Sequence, residues 1–156
     1  MWAGRSAEGV SYLERSVTVI EGLGTKLYLP RFYFWWAEGL LLADRVREAL
    51  EAAEKALALA TELGERGNEG HALRLLGDIA AAGAPPDFLA AESFYERSRV
   101  LATELGMRPL VVHCHLYRNR FTNVDRLLNR PRNSPAPLPS PARTPYPSRG
   151  TSSSQW

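Results

Sequence analysis

The hexapeptide Leu59-Ala60-Thr61-Glu62-Leu63-Gly64 recurs unchanged as Leu101-Ala102-Thr103-Glu104-Leu105-Gly106, 42 residues further along the chain. An arginine stands two positions after each copy, Arg66 and Arg108. About 40 residues upstream, Glu21-Gly22-Leu23-Gly24 ends another periodic run as a weaker copy. Self-similarity at this period marks stacked supersecondary units, none of which can bury its apolar face alone. It makes a stack of helix pairs the expected fold and binding the expected function. The pattern then stops: near residue 146, where a further copy is due, the chain reads Tyr146-Pro147-Ser148-Arg149.

Between the copies the apolar residues keep helical spacing. Val10, Leu13, Val17 and Ile20 predict a helix over 6–20, with Ser6 as a cap and Gly22 and Gly24 at its end. Pro30 suits the first turn of a second helix, 30–43, which carries the aromatic run Phe32 to Trp36. A third runs from Val46 to Leu63 with a stripe of small residues, Ala49, Ala53, Ala56 and Ala60, that admits a close neighbour. Gly64 closes it. The next spans Glu69 to Ala82, and Gly77 in its middle predicts a close helix crossing. After the break Gly83-Ala84-Pro85-Pro86, Asp87 caps a helix to Leu105, and Pro109 opens a short one from Leu110 to about Arg118. The whole is expected to be all-α, a solenoid fragment of about five helices over 5–118.

Charge divides the chain in the same place. Residues 1–119 hold 13 Lys/Arg against 16 Asp/Glu, whereas 120–156 hold 6 Arg against one acid, Asp125. The net charge of +2 is therefore the sum of an acidic body and a basic tail, and the body is no nucleic-acid platform. Seven prolines fall between Pro131 and Pro147, among Ser, Ala and Arg, a composition that predicts a disordered tail over 119–156 with local polyproline character. One cysteine, Cys114, makes no internal disulfide, and no apolar stretch has signal-peptide or membrane-span length. A cytoplasmic protein with no membrane partner is expected.

The helix pairs resemble tetratricopeptide repeats, which place a small residue in the first helix and two small residues around a larger one in the second. Ala37, Leu40, Ala49, Ala53 and Ala56 take those places in one repeat, and Gly77, Ala80, Ala91, Tyr95 and Ser98 in the next. This resemblance implies a right-handed solenoid of helical hairpins. The stretches Ala49 to Gly64, His71 to Ala80 and Leu101 to Leu116 are moreover similar to the C-terminal repeat region of large bacterial signalling ATPases. Those proteins join a nucleotide cyclase or a LuxR-type DNA-binding domain to an NTPase and a degenerate repeat array. The likeness covers roughly residues 5–117 and implies a role in sensing or assembly, with no catalytic residue carried over. Beyond Tyr117 the pattern breaks abruptly, as either an out-of-frame end or an atypical tail would produce.

No catalytic motif is present. Gly22-x-Gly24 lacks the Lys-Ser/Thr of a phosphate loop. In His113-Cys114-His115, residues two apart on a helix do not face each other, so a metal site would need His71 as well. The plain reading is a core cysteine flanked by two partly exposed histidines. No cofactor and no metal are expected, and the protein is read as no enzyme.

The surface expected to act is the face shared by the first helix of each pair. It collects Arg31, Phe34, Glu38 and Leu41, then His71, Arg74, Asp78 and Ala81, then His113 and Leu116. A groove with Arg31, Arg74 and two histidines suits a protein or peptide partner, acidic or presenting its C-terminus. The alternatives are a signalling or transcriptional regulator acting through a separate effector domain, and binding of nucleic acid or an acidic partner by the basic tail. Exposed repeat edges, the run Phe32 to Trp36 included, predict self-association.

Overall fold

The computed structural model describes the backbone of residues 3–117 and the side chains from Glu8 onward. The expected tail, 119–156, and its arginines and prolines lie outside the described residues. What is described is all helical, with no strand: α1 (Ala3–Gly22), α2 (Leu29–Leu42), α3 (Val46–Glu62), α4 (Arg66–Ala82), α5 (Phe88–Glu104) and α6, which occupies 108–117 at the edge of the described residues. Each of the six helical stretches expected above is present, so the total of about five is one short, and α1 and α4 each begin three residues before the expected start. Ser6 is thus an interior residue of α1. In α4 the weak helix formers Gly67, Asn68 and Gly70 hide the start, because the turn at Gly64 already commits the chain and Asn68 Nδ2 donates to Glu65 Oε2 at 2.6 Å. Asp87 does cap α5, accepting from the Ala90 amide at 2.9 Å.

The repeated hexapeptide builds the same turn twice. At the end of α3, Gly64 takes φ +67°, its amide donates to Thr61 O at 3.2 Å, and the Glu65 amide donates to Ala60 O at 2.8 Å. At the end of α5, Gly106 takes φ +69°, donating to Thr103 O at 3.1 Å, and the Met107 amide donates to Ala102 O at 2.8 Å. This paired bonding is the Schellman arrangement, and a positive φ is why glycine is needed there. Gly24, φ +68°, repeats the inner bond at the end of α1, donating to Glu21 O at 2.9 Å. The turns at Gly24 and Gly64 each hand the chain to a residue that reaches an acid at the end of the next pair: Lys26 pairs with Glu62, and Arg66 with Glu104 at 2.6 Å.

Packing follows chain order. α1 lies on α2, α2 on α3 and also on α4, α3 on α4, and α4 on α5, while α3 and α5 make no close backbone contact and α1 never meets α5. The alternate helices α2 and α4 therefore form one layer with α3 and α5 splayed behind it. The core runs through this stack as a chain of small residues. Ala37, Leu40, Ala49, Ala53, Ala56, Ala60, Ala91 and Ala102 are all buried, whereas Ala80, aligned with Leu40, is only half-buried. The aromatic run is no exposed edge. Tyr33 is buried, Phe32, Phe34 and Trp36 are half-buried against the core, and only Trp35 stands out at 41%. The reason is α1, whose Val10 and Leu13 close on Gly39 of α2.

Candidate functional site

The second hairpin departs from the first at one pair of positions. Where α2 and α3 set Ala37 and Ala53, α4 and α5 set Gly77 and Tyr95. The Tyr95 ring fills the space of a missing Cβ: an atom added at Gly77 would stand 2.8 to 3.0 Å from three ring carbons. The expected close crossing at Gly77 is thus real, and its cause is an aromatic ring rather than a second backbone.

Tyr95 then carries polarity into the core. Its hydroxyl donates to Asp78 Oδ1 at 2.7 Å, and Asp78 Oδ2 accepts from Arg74 Nη1 at 2.6 Å. The other terminal nitrogen, Arg74 Nη2, donates to Glu38 Oε1 at 3.0 Å, joining α4 to α2. Arg74 is only 6% exposed and its guanidinium also lies 5.6 Å from the Phe34 ring centre. A buried cation of this kind persists because both its forks are engaged. Arg74 is therefore not the free cation that an acidic ligand would need, and the charge of the cluster is one Arg against two carboxylates. Burial pushes Asp78 above the usual aspartate value, against the opposing pull of Arg74 and the Tyr95 bond. Burial likewise raises Tyr95, so the phenol stays a donor.

Around this cluster opens a cleft of about 290 Å³ lined by Glu38, Leu41, Leu42, Arg74, Asp78 and Ala81 with Tyr95, His113 and Tyr117 over them. Of the residues expected on this face, Glu38, Leu41, Arg74, Asp78, Ala81 and His113 meet here. Arg31, Phe34 and His71 do not line it. Phe34 and His71 sit together instead, their ring centres 5.7 Å apart, and Arg31 lies 5.7 Å from the Trp35 ring. Burial first, then Arg74 and Arg31, depress His71 below the usual histidine value. Leu116 points elsewhere and is 62% exposed.

Leu42, Leu75, Tyr95 and Tyr117 are the cleft residues that were not expected on this face. Tyr95 stacks on Tyr117 at 5.8 Å, and His113 meets Tyr117 edge-on at 4.9 Å. The signal for Tyr95 was available, since a glycine in one helix opposite a small-to-large change in its partner is a compensated swap. In the triplet His113-Cys114-His115 the side chains part: His113 reaches the cleft, Cys114 is buried and His115 is exposed. Cys114 Sγ lies 3.3 Å from Ser98 Oγ, which itself donates to Gly70 O at 2.7 Å. Burial raises this thiol, which favours its neutral form over the thiolate. Among the described residues no group of three or more His, Cys, Asp or Glu could hold a metal ion, and no helix is long and apolar enough to cross a membrane. No family model and no curated protein matches the chain.

Proposed function

We propose that this chain is a non-catalytic helical-repeat scaffold of the tetratricopeptide type, binding a protein or peptide along the face shared by α2, α4 and α6. The observation that carries the reading is the direct packing of α2 on α4 without packing of α3 on α5. It lines up the same register positions, Glu38 with Asp78 and Leu41 with Ala81, on one face that ends in the cleft. The kinship with signalling ATPases rests on the wording of the sequence alone, and that reading makes the chain a piece of a sensing or assembly module.

The charge of the cleft sets the partner's chemistry. With Arg74 already held by Asp78 and Glu38, the face offers a partner a half-exposed carboxylate beside apolar Leu41 and Leu42. A peptide bearing a basic side chain next to an apolar one fits this better than an acidic peptide. Peptides selected by display on the full chain should show that bias. Glu38→Gln should weaken a selected peptide roughly tenfold, as the loss of one charge-assisted bond of about 1.5 kcal/mol does. Leu42→Asp should weaken it too, whereas Leu89→Asp, on exposed α5 surface away from the cleft, should leave affinity unchanged. Selected peptides indifferent to both Glu38→Gln and Leu42→Asp would remove the cleft from the binding face.

A further inference from the structure

The repeat register says what each bare face at the two ends of the stack is built to meet. Within the second hairpin, α5 closes on α4 through Gly70: Ser98 Oγ bonds its carbonyl at 2.7 Å, and a Cβ at Gly70 would lie 3.8 Å from Leu101 Cδ2. One repeat earlier Ser98 and Leu101 become Ala56 and Leu59, and a further repeat back they become Ser16 and Val19 of α1. Counted forward by 42 residues, Gly70 becomes Val112 of α6 and Leu73 becomes His115. α1 is thus a second helix of a pair, and α6 is a first helix.

Burial confirms that each face lacks its counterpart among the described residues. Ala52 and Ala56 of α3 are buried, while their equivalents on α1 are Tyr12, 61% exposed, and Ser16, whose hydroxyl falls back on Tyr12 O. Val19 is likewise 61% exposed, and with Tyr12, Ser16 and Leu23 it makes a stripe at three- and four-residue spacing. On α6, Gly70 and Leu73 have become the exposed Val112 and His115, with Leu116 one turn beyond Val112. Where the internal joint sets leucine against glycine, Leu101 on Gly70, the two bare faces offer valine for each, Val19 and Val112.

We infer that a second copy of this chain completes the stack: α1 of one molecule docks on α6 of another as α5 docks on α4 within one molecule. The contact is heterologous, so it propagates head to tail until something caps an end. The inference uses the repeat register and not the cleft, and it stands or falls apart from the peptide-binding reading.

Sedimentation velocity on the full chain tests it. The wild type should form species that lengthen with concentration. Val19→Glu and Val112→Glu, each on an exposed position, should each sediment as a folded monomer, with helical content and melting temperature unchanged. An equimolar mixture of the two should give a heterodimer and nothing larger, because each molecule keeps one competent end. Tyr12→Glu and Leu116→Glu form a second such pair if either first variant misfolds. A wild type that stays monomeric at every concentration, as it would with residues 118–156 of the same molecule covering α6, overturns the inference. So does continued assembly of Val112→Glu alone, which would mean that α1 pairs with itself.

Discussion

The hairpins α2–α3 and α4–α5 share a backbone plan and differ in what fills it. Both carry a small residue in the first helix, and α3 and α5 end on a hexapeptide of identical sequence and identical bonding. The first hairpin packs alanine on alanine at this crossing, through Ala37, Ala49, Ala53 and Ala56, all of them buried and apolar. The second replaces this with Gly77 under Tyr95, Ser98 bonded to Gly70, and a buried Arg74 between Asp78 and Glu38. The lesson is that the turns fix where helices go, while the crossing residues decide whether a layer is inert or presents a polar site. The cleft exists because the second hairpin gave up the alanine solution.

The largest expected effect would convert one hairpin toward the other. Tyr95→Ala empties the crossing and deprives Asp78 of its hydroxyl donor, so chemical denaturation should show a loss of about 3–5 kcal/mol, the range for removing a large buried ring. Gly77→Ala in the native background should also destabilise, because its Cβ meets the ring. In the Tyr95→Ala background the same change should instead be neutral or stabilising by roughly 0.5–1 kcal/mol, since alanine is the better helix former and the clash is gone. Additive losses in this cycle would break the comparison by showing that the two residues do not share one space.

A smaller effect tests the part that the hairpins have in common. Gly64→Ala and Gly106→Ala each force a Cβ into the left-handed region, where nothing crowds it, so both should lose about 1–2 kcal/mol from backbone strain alone. Unequal losses would mean that the two turns are not equivalent after all.

The smallest is a slope in pH that only the second hairpin should show. His71 is held below its ordinary value of 6.5 by burial and by Arg74 and Arg31, with Glu38 opposing and His113 adding to the depression. The unfolded chain therefore takes up this proton first as pH falls. Stability is complete above the unfolded value and declines as pH drops from about 6.5 toward the depressed folded one. Replacing His71 by Gln should flatten that part of a stability–pH profile, and an unchanged slope would assign it to other groups.

Much of this was legible in the sequence, because the features concerned are local. A glycine at the end of a periodic run, a proline at the start of one and Asp87 before Phe88 act on residues within a few positions, and the structure places each as read. Gly77 announced a close approach. What stayed hidden was set by partners far apart in sequence. Arg74 sits at a helix position that the period alone marks as open groove, and its burial goes with Glu38, 36 residues away, and with the ring of Phe34. The aromatic run reads as an exposed edge because nothing local in the sequence shows that α1 folds back on α2 and covers part of it. Periodicity locates faces, and only tertiary pairing says which charges on them are already spent.

The identity of the two hexapeptides has an evolutionary corollary. Their turns close through bonds confined to each copy and the residue after it, so a crossover anywhere within them deletes or inserts one 42-residue unit and regenerates an intact turn. Gly77 and Tyr95 both lie between the copies and would be inherited together, so the exchange could never separate a ring from the glycine that makes room for it. Glu38 lies outside the exchanged unit and Arg74 inside it. After such a deletion Leu116 would take the place of Arg74, and the carboxylate would face a neighbour unable to answer it.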